Sequence, residues 1–145
     1  MMHISAKGDY GLRAVLDLAL HDGQGPILRA DIAARQNIPE AYLVQLLNLL
    51  RKAGIVHSIR GPKGGHLLLK RPDELTVGEV LAALEGPVSL LGRSEDRKSR
   101  DEGTDVLKEV WEATEAAINH VLSSVTFADL CRKHQARQMP VTFRI

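Results

Sequence analysis

Apolar residues at Leu12, Val15, Leu16, Ala19 and Leu20 recur at helical spacing between Ser5 and His21, and Gly23, Gly25 and Pro26 then break the pattern. This predicts a first helix. A short segment, Arg29 to Gln36, carries Ile32 and Ala33 on one side and stops at Asn37, a residue that tolerates left-handed geometry. Pro39 suits the first turn of a third helix, whose buried stripe is Leu43, Leu46, Leu47 and Leu50 and whose end is Gly54. Two strand-like runs follow, Ile55 to Ile59 and His66 to Lys70, joined by Arg60-Gly61-Pro62-Lys63-Gly64-Gly65.

Beyond Pro72 the pattern becomes helical again. Val77, Val80, Leu81 and Leu84 share a face between Thr76 and Glu85, with Thr76 and Glu79 spaced as a capping box. The stretch 92–105 has no apolar residue, so it has nothing to bury and is expected to be a mobile loop. A longer helix is predicted from about Val106 to Leu122, with a wide apolar face that includes Val110, Trp111, Ala117, Ile118 and Val121. Phe127 to Lys133 predicts a short helix capped by Thr126 with Asp129, and Val141 to Ile145 a terminal strand.

Three helices with short turns followed by a basic-tipped hairpin describe a winged helix-turn-helix. The expected fold is therefore mainly α with a small β-hairpin wing, followed by a long dimerisation helix. Residues 1–72 form the expected DNA-binding domain and 73–145 the dimerisation and regulatory region. Glycines let the wing backbone approach a phosphate closely, while Arg60 and Lys63 can neutralise it or enter a minor groove. A small head cannot cover so broad a stripe on the long helix, which predicts a homodimer burying Val110, Trp111, Ala117, Ile118 and Val121.

Charge sharpens this picture. The 145 residues carry a net charge of only +1, but residues 1–72 hold ten Lys and Arg against five Asp and Glu, leaving +5 there and −4 in the remainder. A polyanionic partner for the first half fits that asymmetry. Cys131 is the only cysteine, so the chain alone can form neither a disulfide framework nor a cysteine-rich metal site. The six histidines show no metal-ligand spacing, and no cofactor or metal is expected. No apolar stretch approaches a membrane span and no signal core opens the chain, so a cytoplasmic protein without membrane contact is expected. No nucleophile, base or paired carboxylate has a catalytic context, so an enzyme is not expected.

The segments ISAKGDYGLRAVLDLA, IAARQNIPEAYLVQLLNLLRKAGIVHSIRGPKGGHLLLKRP and VGEVLAALEGP resemble, over nearly the whole chain, the Rrf-two family of bacterial winged-helix transcription regulators. The resemblance implies phosphate contacts by Ser5, Lys7 and Tyr10 and an outward recognition surface of Ala41, Tyr42 and Gln45. It places Ser58, Arg60, Gly61 and Gly65 on the wing, beside Lys63. One departure is Val44, where the family commonly has a glutamate able to accept from cytosine, so the operator preference of those members does not transfer. A second is the absence, in 92–105, of the three cysteines that hold a cluster in cluster-binding members. The remaining pattern resembles the cluster-free branch of cysteine-metabolism repressors, which implies an enzyme of cysteine synthesis as a partner.

The expected function is a homodimeric repressor that reads a palindromic double-stranded DNA operator without an iron–sulfur cluster, with cysteine or sulfur metabolism as a target. A protein-interaction adaptor of a metabolic enzyme and a small-molecule or metal-responsive regulator are the alternatives.

Overall fold

The computed structural model describes residues 3–90 and 105–139. Helix α1 spans Ala6–Leu20, α2 Arg29–Gln36 and α3 Glu40–Lys52. Strands β1 (Val56–Ile59) and β2 (Gly65–Leu68) form an antiparallel hairpin in which Val56 faces Leu68 and Ser58 faces His66. A 3₁₀ turn at Pro72–Glu74 leads to α4 (Val77–Glu85), and the chain continues with α5 (Asp105–Ser124) and α6 (Phe127–Gln138). The fold is mainly helical with a two-stranded wing, as expected.

Local chemistry accounts for the boundaries. Ser5 caps α1, its Oγ accepting from the Gly8 N–H at 3.1 Å. Asn37 ends α2 in the left-handed region, φ 53° and ψ 50°. Pro39 stands at the cap of α3 rather than inside its first turn, and its carbonyl accepts from Leu43 N–H at 3.0 Å. The Thr76 box is only half formed: Thr76 Oγ1 accepts from Glu79 N–H, but the Glu79 carboxylate is drawn to Lys70 at 2.6 Å. At α6 both halves close between Thr126 and Asp129. Hydrogen bonds donated to the Asp129 carboxylate by the Thr126 backbone N–H and hydroxyl hold its pKa below the ordinary value.

Helix α6 runs five residues past the expected Lys133, because Gln135, Ala136, Arg137 and Gln138 are good helix formers that carry no apolar signal. The loop expected at 92–105 lies outside the described residues except for Asp105, which opens α5. The expected strand at 141–145 also lies outside them.

Helix α1 is the hub, touching α2, α3, α4, α6 and β2. Gly11 permits the close approach of α4: a Cβ there would stand 2.2 Å from Leu84 Cδ1. Val15, Ile32, Leu43, Leu46, Leu50, Val80 and Phe127 form one continuous core. Each fully buried side chain of this size contributes about 1.5–3 kcal/mol. Phe127 is held there because its N–H bonds the Leu75 carbonyl, 2.9 Å, while Val77 N–H bonds Val125 O, 3.0 Å.

A buried carboxylate ties α1 to α2. Asp17, 1% exposed, accepts from Arg35 Nε and Nη2, each at 2.9 Å, and from Gln36 Nε2 at 3.2 Å. That bond holds the Arg35 guanidinium above its ordinary pKa.

Helix α5 is different. It packs principally on α4 and leaves Val106, Leu107, Val110, Trp111 and Val121 exposed. Ala117 is also exposed, and Ile118 is half-buried. No helix among the described residues is long and apolar enough to cross a membrane.

Candidate nucleic-acid interface

The leucine stripe that anchors α3 decides what the helix shows to solvent. With Leu43, Leu46, Leu47 and Leu50 buried, Ala41 and Gln45 project outward and are exposed. Gln45 therefore presents both an amide donor and a carbonyl acceptor, the pair needed to bond a base edge. Tyr42 is half-buried, its ring edge-on to Tyr10 at a centroid distance of 5.7 Å. Arg13 lies over the Tyr10 ring, with Cζ 4.6 Å from the ring centre, and donates to the Gln36 carbonyl at 2.8 Å. This cluster joins the start of α1 to the start of α3. Ser5 and Lys7 stand half-buried at the same end of α1, and although Ser5 Oγ accepts from Gly8, its hydroxyl proton remains available to an acceptor.

The wing is fixed at its base and open at its tip. Ile27 pairs with His66 through two backbone bonds of 2.8 Å, so the segment before α2 extends the hairpin. Gly65, φ +150°, is required for that approach, since a Cβ would meet the Ile27 carbonyl at 2.7 Å. Gly64, part of the glycine-rich connection but not among the expected DNA contacts, closes the turn: its N–H bonds Gly61 O at 2.9 Å, and a Cβ would lie 2.1 Å from the Ile59 carbonyl. Arg60, Gly61 and Lys63 are exposed at the tip, whereas Ser58 is half-buried and bonded to His66 Nδ1 at 2.8 Å. Gly65 thus shapes the wing, and Arg60 and Lys63 supply its charge.

The head's ten cations separate into two groups. Arg13, Arg29, Arg35, Lys70 and Arg71 pair with Asp9, Glu40, Asp17, Glu79 and the Asp73–Glu74 turn. Lys7, Arg51, Lys52, Arg60 and Lys63 have no ion pair among the described residues. They occupy the start of α1, the end of α3 and the wing tip. Arg51 and Lys52 also complement the carbonyl end of α3.

Several constraints escaped the sequence reading: the Asp17–Arg35–Gln36 lock, the Arg29–Glu40 bridge between the starts of α2 and α3, and the Ser58–His66 bond. Asp17 carried a usable signal, being an acid within an otherwise apolar helix face.

Residues 4–133 match the model of the Rrf2 family, described as an iron-dependent transcriptional regulator. The HTH-type transcriptional regulator CymR of Bacillus subtilis is 39% identical over 144 residues, covering 99% of this chain and 100% of that protein. IscR of Aliivibrio salmonicida is 37% identical, covering 95% of this chain and 82% of its own. Among solved structures, T. potens IscR superposes with a TM-score of 0.80 at 39% identity, covering 96% of this chain and 93% of that one. CymR, the global cysteine regulator of B. subtilis, superposes at 0.78 and 39% identity, over 92% of this chain and 98% of its own.

The family description raises iron, and the donor set here does not fit a thiolate-held cluster. The single cysteine, Cys131, is buried on α6, where burial pushes its thiol pKa up. Residues 92–104 contain neither cysteine nor histidine. No group of three His, Cys, Asp or Glu able to hold a metal occurs among the described residues. The relatives named above are regulators rather than enzymes, in keeping with the expectation from sequence. By its match along most of its length and by its winged-helix architecture, the chain belongs to the Rrf2 family of DNA-binding transcriptional regulators.

Proposed function

We propose that the chain is a homodimeric repressor that binds a palindromic operator in the cytoplasm and does so without an iron–sulfur cluster. Residues 1–72 are the reading head and 73–145 the dimerisation and regulatory region. The observation that carries this reading is the separation of cations: those within the head's framework are neutralised, while five at the α1 start, α3 end and wing are left for a polyanion. Lys7, Tyr10 and Ser5 position the backbone, Tyr42, Ala41 and Gln45 face the major groove, and Arg60, Gly61 and Lys63, supported by Ser58 and Gly65, bring the wing to the adjacent groove.

Val44, half-buried beside Gln45, offers methyl groups where an acidic side chain would accept from cytosine, so contact with a thymine methyl replaces that bond. The apolar α5 face, with Val110, Trp111, Ala117, Ile118 and Val121, meets its symmetry mate and sets the two recognition helices about one DNA turn, or a multiple of it, apart. Control of cysteine or sulfur metabolism is supported by the full-length similarity to CymR, and an enzyme of cysteine synthesis is the matching signal partner.

Selection of genomic fragments by the purified, aerobically prepared protein at physiological salt tests the reading. Enrichment of an inverted repeat near cysteine or sulfur genes is expected. Retention of no sequence above random duplex would overturn it in favour of an interaction adaptor.

A further inference from the structure

The wing holds a hydrogen-bonded pair with one titratable member, His66, that its role as a basic finger does not use. His66 commits its backbone N–H and carbonyl to Ile27, both at 2.8 Å, which leaves it facing Ser58 of β1 as a non-hydrogen-bonded cross-strand pair. Such pairs bring side chains closest, and the Ser58 Oγ lies 2.8 Å from His66 Nδ1. The groups around the imidazole are few. Strand β1 brings Ser58, the segment before α2 brings the apolar Ile27, and α2 brings Arg29, whose guanidinium is paired with Glu40 of α3 at 3.3 Å.

This arrangement gives the protonation state of His66 control over which donors the wing can offer. In one neutral tautomer Nδ1 accepts the Ser58 proton, so the hydroxyl has none left for an external anion. In the other, Nδ1–H donates to Ser58 and frees the hydroxyl, but Nε2 then carries a lone pair that repels an anion. Only the imidazolium satisfies both positions: Nδ1–H donates to Ser58 Oγ, Ser58 O–H donates outward, and Nε2–H remains a second charged donor.

We propose that His66 is a positioning residue for a phosphate contact of the wing, and that operator binding takes up one proton from solvent onto its imidazole to free the Ser58 hydroxyl. The inference rests on the DNA-reading function proposed above. In the free protein, burial and then the nearby Arg29 hold the His66 pKa below its ordinary 6.5, which favours the neutral ring. A phosphate oxygen at Ser58 supplies the opposite charge and raises the value in the complex. Affinity therefore grows as pH falls through the bound-state value and levels off below the free-state value.

The test is the dissociation constant for the selected operator duplex at constant ionic strength, between about pH 8 and pH 6, with calorimetry in buffers of different ionisation enthalpy. The wild type should tighten several-fold, by at most about tenfold per pH unit, with net uptake of a proton. His66→Gln should bind with a flat profile, Ser58→Ala should be weaker and flat, and His57→Gln should keep the slope. A second measurement guards against a variant that misfolds: NMR titration of the His66 ring in the wild type, free and bound, should show the higher pKa in the complex. An unchanged slope in His66→Gln, or a His66 pKa that does not rise on binding, overturns the inference while leaving the operator reading intact. A wild type that prefers no sequence at any pH overturns both.

Discussion

Leu43, Leu46 and Leu50 of α3 are fully covered, whereas Val106, Leu107, Val110 and Val121 of α5 are each more than half exposed. Both helices carry an apolar stripe, so the difference lies in what the chain provides to cover it. Helix α3 sits among α1, α2, α4 and β1. Helix α5 has 20 residues and lies principally on α4, which has nine, so a helix about 30 Å long rests on one of about 14 Å. The head completes its own core, and the long helix keeps an uncovered apolar stripe among the described residues. The same contrast runs through the charges, with carboxylates assigned to the framework cations and withheld from those at the proposed DNA face.

The comparison breaks most visibly in the head. Leu46→Ala should lower the unfolding free energy by about 2–5 kcal/mol in a urea titration, since it removes a fully buried side chain from a packed core. Asp17→Ala should cost about 3 kcal/mol in the same titration. It strips the buried carboxylate from Arg35, but that guanidinium is partly exposed and can rehydrate, which keeps the cost at the low end for a broken ion pair. In α5, Val110→Glu with Val121→Glu should leave the helical circular dichroism of the protomer unchanged while weakening the dimer about a hundredfold, about 3 kcal/mol, by sedimentation. Unaltered dimerisation would place the symmetric contact elsewhere.

Smaller effects sharpen the charge contrast. Arg60→Ala should weaken operator binding by about 1–3 kcal/mol, and Lys63→Ala should reduce the salt slope by about one, with no change in thermal stability from either. The smallest effect belongs to Asp129, whose folded pKa is depressed below 3.8 by its bonds to Thr126. A depressed carboxylate stabilises above its unfolded value, and that contribution disappears as pH falls through the folded value. Hydrogen exchange at α6 should accelerate on acidification below the ordinary carboxylate range, and Asp129→Asn should shift that onset.

The elements were legible in the sequence because their signals are local. Leu43, Leu46, Leu47 and Leu50 mark a helix by spacing alone, and Asn37 and Thr126 mark helix ends by side-chain chemistry. Partnerships between elements were not legible. Nothing in the spacing of Asp17 and Arg35 says that they meet, and nothing in the spacing of Thr76 and Glu79 says that one Glu79 oxygen reaches Lys70 while the other accepts from the Thr76 hydroxyl. The extra turns of α6 were hidden because a polar exposed helix has propensity but no periodicity. The wing residues were found by type and turn chemistry, whereas the pairing of Ser58 with His66 depends on strand register.

The most direct test is the mass and sequence preference of the complex formed by the purified chain on its selected inverted repeat, measured by light scattering at physiological salt beside a scrambled duplex of equal length. Two protomers on the repeat and about a thousandfold weaker binding to the scrambled duplex are expected. Equal affinity for both duplexes, or a single protomer on the repeat, would contradict the dimeric operator reading.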